Sequence, residues 1–216
     1  MPNIALIVAM RTEAPSIFRD TAGISQVGDN AIGLFVSGIG LKRARRAAQR
    51  VCSGALGFQP DLLINFGFCG AVGKGLDIGH LVIPDRLAHR DQEIGSRNRA
   101  VEKVADRLVN SEYHVGKLQS FNWPVLSRSR VPRDTLAVDM ESFAIAQTAA
   151  KYRIPIIIIK AVSDVVPEHV SLTGLLTLAR SFRVNTPTAR ARLSAILEQL
   201  FEDQDLFNYI SELQTL

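Results

Sequence analysis

Three carboxylates stand out by where they fall in the chain. Glu13 lies in AMRTEA just past the apolar run IALIVA (4–9), Glu141 lies in AVDMES, and Asp164 lies in KAVSDVV at the end of the run IPIIIIKAVS (154–163). Adjacent strands lie about 4.8 Å apart, so acids capping neighbouring strands converge on one pocket and make it polar. Taken singly, each acid is better explained as a helix-start or N-cap residue favoured by the helix dipole. Three at the same sheet edge point instead to a site. Two glycine loops, VSGIGLKRARRA and NFGFCGAVGKGLDIG, would bring backbone N–H groups toward an anion or hydroxyl there.

Several other chemistries are unsupported. The first loop has GxG without the third glycine of a dinucleotide fingerprint, and the second does not lead directly into a helix. GxxxxGK[ST] and the GxSxG elbow are absent. His80, His89, His114 and His169 show no metal-ligand pairing at helical spacing, and Cys52 and Cys69 lack CxxC spacing, so neither a metal nor any other cofactor is implied. Cys69 sits in a glycine turn, where a small buried thiol is a better reading than a reactive one.

The elements that must position the acids follow from apolar patterning. Short Ile/Val-rich runs alternate with helical patterns, which predicts a mostly parallel sheet covered on both faces. Strands are expected at 4–9, 31–37, 61–67, 80–84 and 154–163. Helices are expected at 12–20, 41–56, 99–111, 140–152 and 186–201, with a shorter one near 205–213. The polar stretch 85–100 and the Trp- and Pro-containing stretch 120–135 read as irregular. The length of 216 residues fits one α/β domain, with no linker or repeat to divide 1–216.

No apolar stretch approaches the roughly 18–20 residues of a spanning helix. MPNIALIVAM lacks a basic n-region and a cleavage site, so it reads as a buried first strand, and a cytoplasmic protein with free thiols is expected. The formal net charge is +4, with its densest cluster in LKRARRAAQR (41–50). The basic residues there form the polar face of an amphipathic helix without aromatic interleaving, so no nucleic-acid partner is expected.

In their order along the chain, IALIVAMRTEA, VSGIGLKRA, DLLINFGFCGAVGKGLDIGHLVIPD, AVDMESFAIA and IPIIIIKAVSDVV resemble the nucleoside phosphorylase superfamily. They are most similar to its methylthioadenosine/S-adenosylhomocysteine nucleosidase branch. The resemblance runs from about residue 4 to 166. It implies a three-layer α/β/α sandwich around a mixed, mostly parallel twisted sheet. It also implies that Glu13 activates water, that Glu141 binds the ribose 2′- and 3′-hydroxyls with Met140 lining the sugar, and that Asp164, following Ser163, assists protonation of the purine at N7. Phe68 and Gly70 of NFGFCG would border the substrate, and Phe121 or Trp123 of SFNWPV (120–125) would stack on the base or pack in the core.

Those roles fit the chemistry. Breaking a ribosyl C1′–N9 bond builds positive charge on the sugar and negative charge on the departing base. A general acid at the base typically contributes about 10²–10⁴-fold. Asp164 must deliver a proton near neutrality, so its environment is expected to raise its pKa. An adenine-type nucleoside is the implied substrate and water the implied nucleophile.

Asn65 and Phe68 stand where hexameric purine phosphorylases of the superfamily carry a phosphate-binding arginine and serine, so phosphate is not the favoured co-substrate. AVDMES with a polar-xPV segment upstream also resembles the hopanoid-associated phosphorylase branch, which acts on an adenosyl unit attached to a polycyclic lipid. A member that binds a nucleoside without turnover is a further alternative. A homo-oligomer is implied by the resemblance alone.

Overall fold

The four consecutive isoleucines 156–159 begin β9 (Ile156–Val165) and divide themselves between two cores. Ile157 and Ile159 pack with Ile4, Leu6 and Ile64 on one face, and Ile156 and Ile158 pack with Ala5 and Leu63 on the other. Side chains alternate across a strand, so an unbroken apolar run is what a strand buried on both faces requires. Full burial of each such side chain is worth about 1.5–3 kcal/mol. In the computed structural model, residues 2–15, 18, 23–27, 30–96, 101, 113–169 and 172–202 are described.

The remaining strands are β1 (Asn3–Val8), β2 (Ile24–Val27), β3 (Asn30–Val36), β4 (Leu62–Ala71), β5 (Leu81–His89), β6 (Gln92–Gly95), β7 (Tyr113–Ser120) and β8 (Thr135–Asp139). They form one sheet in the order β2-β3-β1-β4-β8-β7-β5-β6, with β9 pairing both β4 and β5. The path β4–β9–β5–β7–β8 therefore closes on β4 as a ring. The pairs β1–β3, β1–β4, β4–β9, β5–β7 and β7–β8 are parallel, while β2–β3, β4–β8, β5–β6 and β5–β9 are antiparallel. The sheet is mixed and mostly parallel, as the sequence predicts.

Helices cover both faces. On one side α1 (Leu41–Cys52) and α2 (Ser142–Tyr152) bury Ala44, Ala48 and Val51 together with Phe143, Ile145 and Ala149. On the other, α3 (Leu172–Glu202) packs Ala189, Leu193, Ile196 and Leu197. The result is the three-layer α/β/α sandwich that the resemblance implies. In α1, Lys42, Arg43, Arg45, Arg46 and Arg50 are exposed, which makes the arginine cluster the solvated side of an amphipathic helix.

Two expectations are corrected. Residues 85–100 do not form a loop as far as 96: β5 runs on to His89, turns at Arg90 (φ 52°) and returns as β6. Its polarity misled because β6 is a largely exposed edge strand, tied by Arg86 Nη1 to Glu93 Oε1 at 3.6 Å. Residues 121–134 are irregular, but β7 and β8 flank them closely, and neither these strands nor β2 was expected. The helix predicted at 12–20 begins as a 3-10 turn, Arg11–Glu13. Most of its remainder, nearly all of 99–111 and the whole of 205–213 lie outside the described residues.

Candidate active site

The 3-10 turn after β1 folds Glu13 back over the strand end. Its Oε2 accepts from the backbone N–H of Ala9 at 2.7 Å and of Met10 at 2.9 Å, and its Oε1 accepts from Phe68 N–H of β4 at 3.2 Å. The side chain is buried. Burial pushes its pKa up, opposed by the Lys160 charge and by the three N–H donors. A carboxylate has about four lone-pair positions, so three are committed and one is left for another donor.

Gly67 makes this placement possible. A Cβ at that position would lie 2.9 Å from Glu13 Oε1. Gly67→Ala should therefore displace the carboxylate, and the positive φ of Gly67 (157°) adds backbone strain in β4. A misplacement on the order of 1 Å can cost about 10²-fold in rate. We expect a fall of that order in kcat together with a lowered melting temperature, measured by steady-state kinetics and calorimetry.

Glu141 follows β8 and caps α2. β8 runs antiparallel to the far end of β4, with Gly70 opposite Val138, so its carboxyl end meets the middle of β4 beside Phe68. Glu141 Oε1 accepts from Gly40 N–H at 2.8 Å, and Oε2 accepts from Met140 N–H at 3.3 Å. Gly40 (φ 99°) is the N-cap of α1, in a conformation that favours glycine, so the carboxylate also faces the positive end of that helix. Burial and the neighbouring Asp139 carboxylate push the Glu141 pKa up to about 7. Lys160 and the Gly40 N–H act the other way, and Glu13 adds to the rise. Glu13 and Glu141 are thus close enough to sense each other's charge.

Asp164 lies near the end of β9, half-buried, opposite Gly70 of β4. A Cβ on Gly70 would lie 3.1 Å from Asp164 Oδ2, so the absence of a side chain leaves that carboxyl its space. Burial raises the Asp164 pKa, and Ser163 Oγ, donating to Oδ1 at 2.7 Å, opposes the rise. The raised value is the condition expected of a group that must carry a proton.

The other expected residues divide. Met140 is partly buried and contributes its N–H to Glu141. Phe68 is buried in the core cluster that also holds Val8 and Phe66, with its N–H on Glu13. Phe121 packs with Val125 against Val131, Val138 and Val166, an apolar wall two residues past Asp164. Trp123 is 79% exposed and does not join that wall. Asn65 spans the interior, donating to the Ile7 carbonyl at 3.1 Å and accepting from Ser142 Oγ at 2.7 Å. Cys69 is a buried thiol whose pKa burial raises, so it is an unreactive core residue rather than a nucleophile.

Sequence reading missed Lys160 and Asp139. Lys160 is 1% exposed, and its Nζ lies 3.2 Å from Asp139 Oδ2. The signal was present, because a lysine directly after four buried isoleucines cannot reach water from the middle of a strand.

Residues 4–118 and 112–202 match the Phosphorylase superfamily. The chain belongs to this superfamily. It is 25% identical to a 5′-methylthioadenosine/S-adenosylhomocysteine nucleosidase of Listeria innocua over 69% of this chain and 76% of that one. The crystal structure of the corresponding Neisseria meningitidis nucleosidase, in complex with methylthio-immucillin-A, superposes with a TM-score of 0.74 at 25% identity, covering 91% of this chain and 97% of that one. The S. pneumoniae nucleosidase, solved with a transition-state inhibitor, shares the fold with a TM-score of 0.78 at 22% identity, covering 92% and 98% of the two chains. No helix among the described residues is long and apolar enough to cross a membrane.

Proposed function

We propose that this superfamily member hydrolyses the N-glycosidic bond of an adenine-type nucleoside, with Glu13 and Asp164 as its catalytic base and acid. The observation that carries the reading is the pairing of a buried acid, Glu13, with a half-buried one, Asp164, in different settings. Burial raises the pKa of both, but at Glu13 the Lys160 charge and three backbone N–H donors oppose the rise, whereas at Asp164 Ser163 Oγ alone does. A base and an acid at opposite ends of one bond are what hydrolysis of a glycosidic linkage needs. Glu13, as carboxylate, takes a proton from water. Glu141 holds the two ribose hydroxyls through charge-assisted bonds, Met140 borders the sugar, and Asp164, oriented by Ser163, protonates the base. Phe68 and Gly70 border the bound nucleoside, and the wall containing Phe121 flanks the purine.

Water is favoured over phosphate because Asn65 is committed to Ile7 and Ser142, and Phe68 offers no hydroxyl. The relatives named nucleosidases support the same choice. The protein is further proposed to act in the cytoplasm as a homo-oligomer. Release of free adenine from methylthioadenosine, S-adenosylhomocysteine and adenosine, assayed with and without phosphate, tests the reading. Turnover in phosphate-free buffer is expected. Strict dependence on phosphate would replace hydrolysis by phosphorolysis, and binding without release of base would leave a nucleoside-binding protein.

A further inference from the structure

We infer that Lys160 is a positioning residue of the site: held 3.2 Å from Asp139 and lying opposite Gly67, the glycine against which Glu13 folds, it opposes protonation of Glu13 and Glu141. The inference rests on the hydrolytic reading above for its purpose, since a base and a diol-binding group must both be ionised.

The argument begins with what a buried lysine demands. A charge taken out of water is penalised unless it is paired and hydrogen-bonded. Lys160 has three acids around it, one from each of three elements: Asp139 ends β8, Glu141 caps α2, and Glu13 lies in the turn after β1. Burial works against its charge, but these acids and the hydrogen bond to Asp139 outweigh that and hold the ammonium above the ordinary lysine value. The Cys69 thiol also senses Lys160, Asp164 and Asp139.

Asp139 is anchored rather than free to move. Its Oδ1 accepts from Ser120 Oγ, and its Oδ2 accepts from Ser142 N–H at 3.0 Å and from Ser142 Oγ. Ser120 Oγ in turn accepts from Phe143 N–H at 3.0 Å. Strand β7, strand β8 and the first turn of α2 are thereby tied to one carboxylate, and that carboxylate fixes the ammonium. With all groups ionised the cluster holds three negative charges and one positive. Without Lys160 only backbone N–H donors offset the charges of Glu13 and Glu141, and like charges at this range favour a proton on one of the acids.

The test uses full-length protein labelled with ¹³C at the glutamate carboxyls, titrated by NMR, with the two signals assigned from Glu13→Gln and Glu141→Gln. In Lys160→Met both midpoints should rise by about one unit or more, and in Lys160→Arg they should stay near wild type. The double variant Lys160→Met/Asp139→Asn leaves no ion of the pair alone and should fold even if the single variant does not. Glu13 should still rise in it, because Lys160 supplies the favourable charge at Glu13. A Glu13 midpoint unmoved in the folded double variant overturns the inference whether or not the protein turns over a nucleoside. In kinetics, the acid limb of kcat/KM should shift to higher pH, costing about tenfold at pH 6 and recovering in alkali. A uniform loss at every pH would mark Lys160 as merely structural and also overturn it. Absence of base release by wild type would sink the hydrolytic reading and leave the titration to decide this one.

Discussion

Asp164→Asn is expected to slow release of the base about 10²–10⁴-fold, the range a positioned general acid supplies, while nucleoside affinity stays within a few-fold of wild type. Asparagine keeps the shape, and its carbonyl oxygen still accepts from Ser163 Oγ, which bonds Asp164 Oδ1 at 2.7 Å. Its amide has no proton acidic enough to transfer. Half-burial opposite Gly70 raises the aspartic acid's pKa, so wild type retains the donor form to a higher pH than an ordinary aspartate would. Wild-type kcat should therefore fall on the alkaline side as that proton is lost, and the variant should lack this limb because nothing remains there to titrate. Pre-steady-state measurement of base release across pH separates this from slow product release. An unchanged rate in Asp164→Asn would remove the residue from the mechanism.

Much of this arrangement was legible in the chain because it is written in contiguous patterns. A run of isoleucines can satisfy two apolar faces only as a central strand, and an acid just after such a strand has little choice of position. Glu13 and Asp164 were found on that logic, and Glu141 as an acid opening a predicted helix. β6 and β8 were not, because short strands with mixed polarity derive their pairing from neighbours distant in sequence. Lys117 illustrates the difficulty: it is buried, yet its charge is met by Asp134 at 2.7 Å, a partner whose approach depends on how β7 and β8 align. Asp139 was hidden for a related reason. It stands two residues from Glu141 in a motif whose conspicuous member draws attention, and its partners Ser120 and Lys160 lie on other strands. The closed ring of strands is likewise a property of the β5–β9 pairing, which no local pattern encodes.

Glu13→Gln is expected to reduce kcat by about 10²–10⁴-fold as well, by removing the base rather than the acid. The two losses should differ in every other respect. Glutamine can keep its amide oxygen on the Ala9 and Met10 N–H groups, which hold Oε2 at 2.7 and 2.9 Å. Its amide nitrogen would then face the Phe68 N–H across the 3.2 Å that Oε1 now spans, donor against donor. An unmatched buried donor costs about 1–3 kcal/mol. Neutralising the side chain also relieves the burial of a charge that raises its pKa, and it takes one repulsive neighbour from Glu141. The net change in melting temperature should therefore be small. The Glu141 midpoint, about 7 in wild type, should fall, because one of the charges holding it up has gone. Nucleoside binding through Glu141 should then persist to lower pH in Glu13→Gln than in wild type, even though turnover is lost. Calorimetric titration with a non-hydrolysable nucleoside analogue over the range from about pH 5 to about pH 8 would read this directly. A variant that kept wild-type turnover would show that another group activates the water. One that lost binding at every pH would show instead that Glu13 holds the ligand.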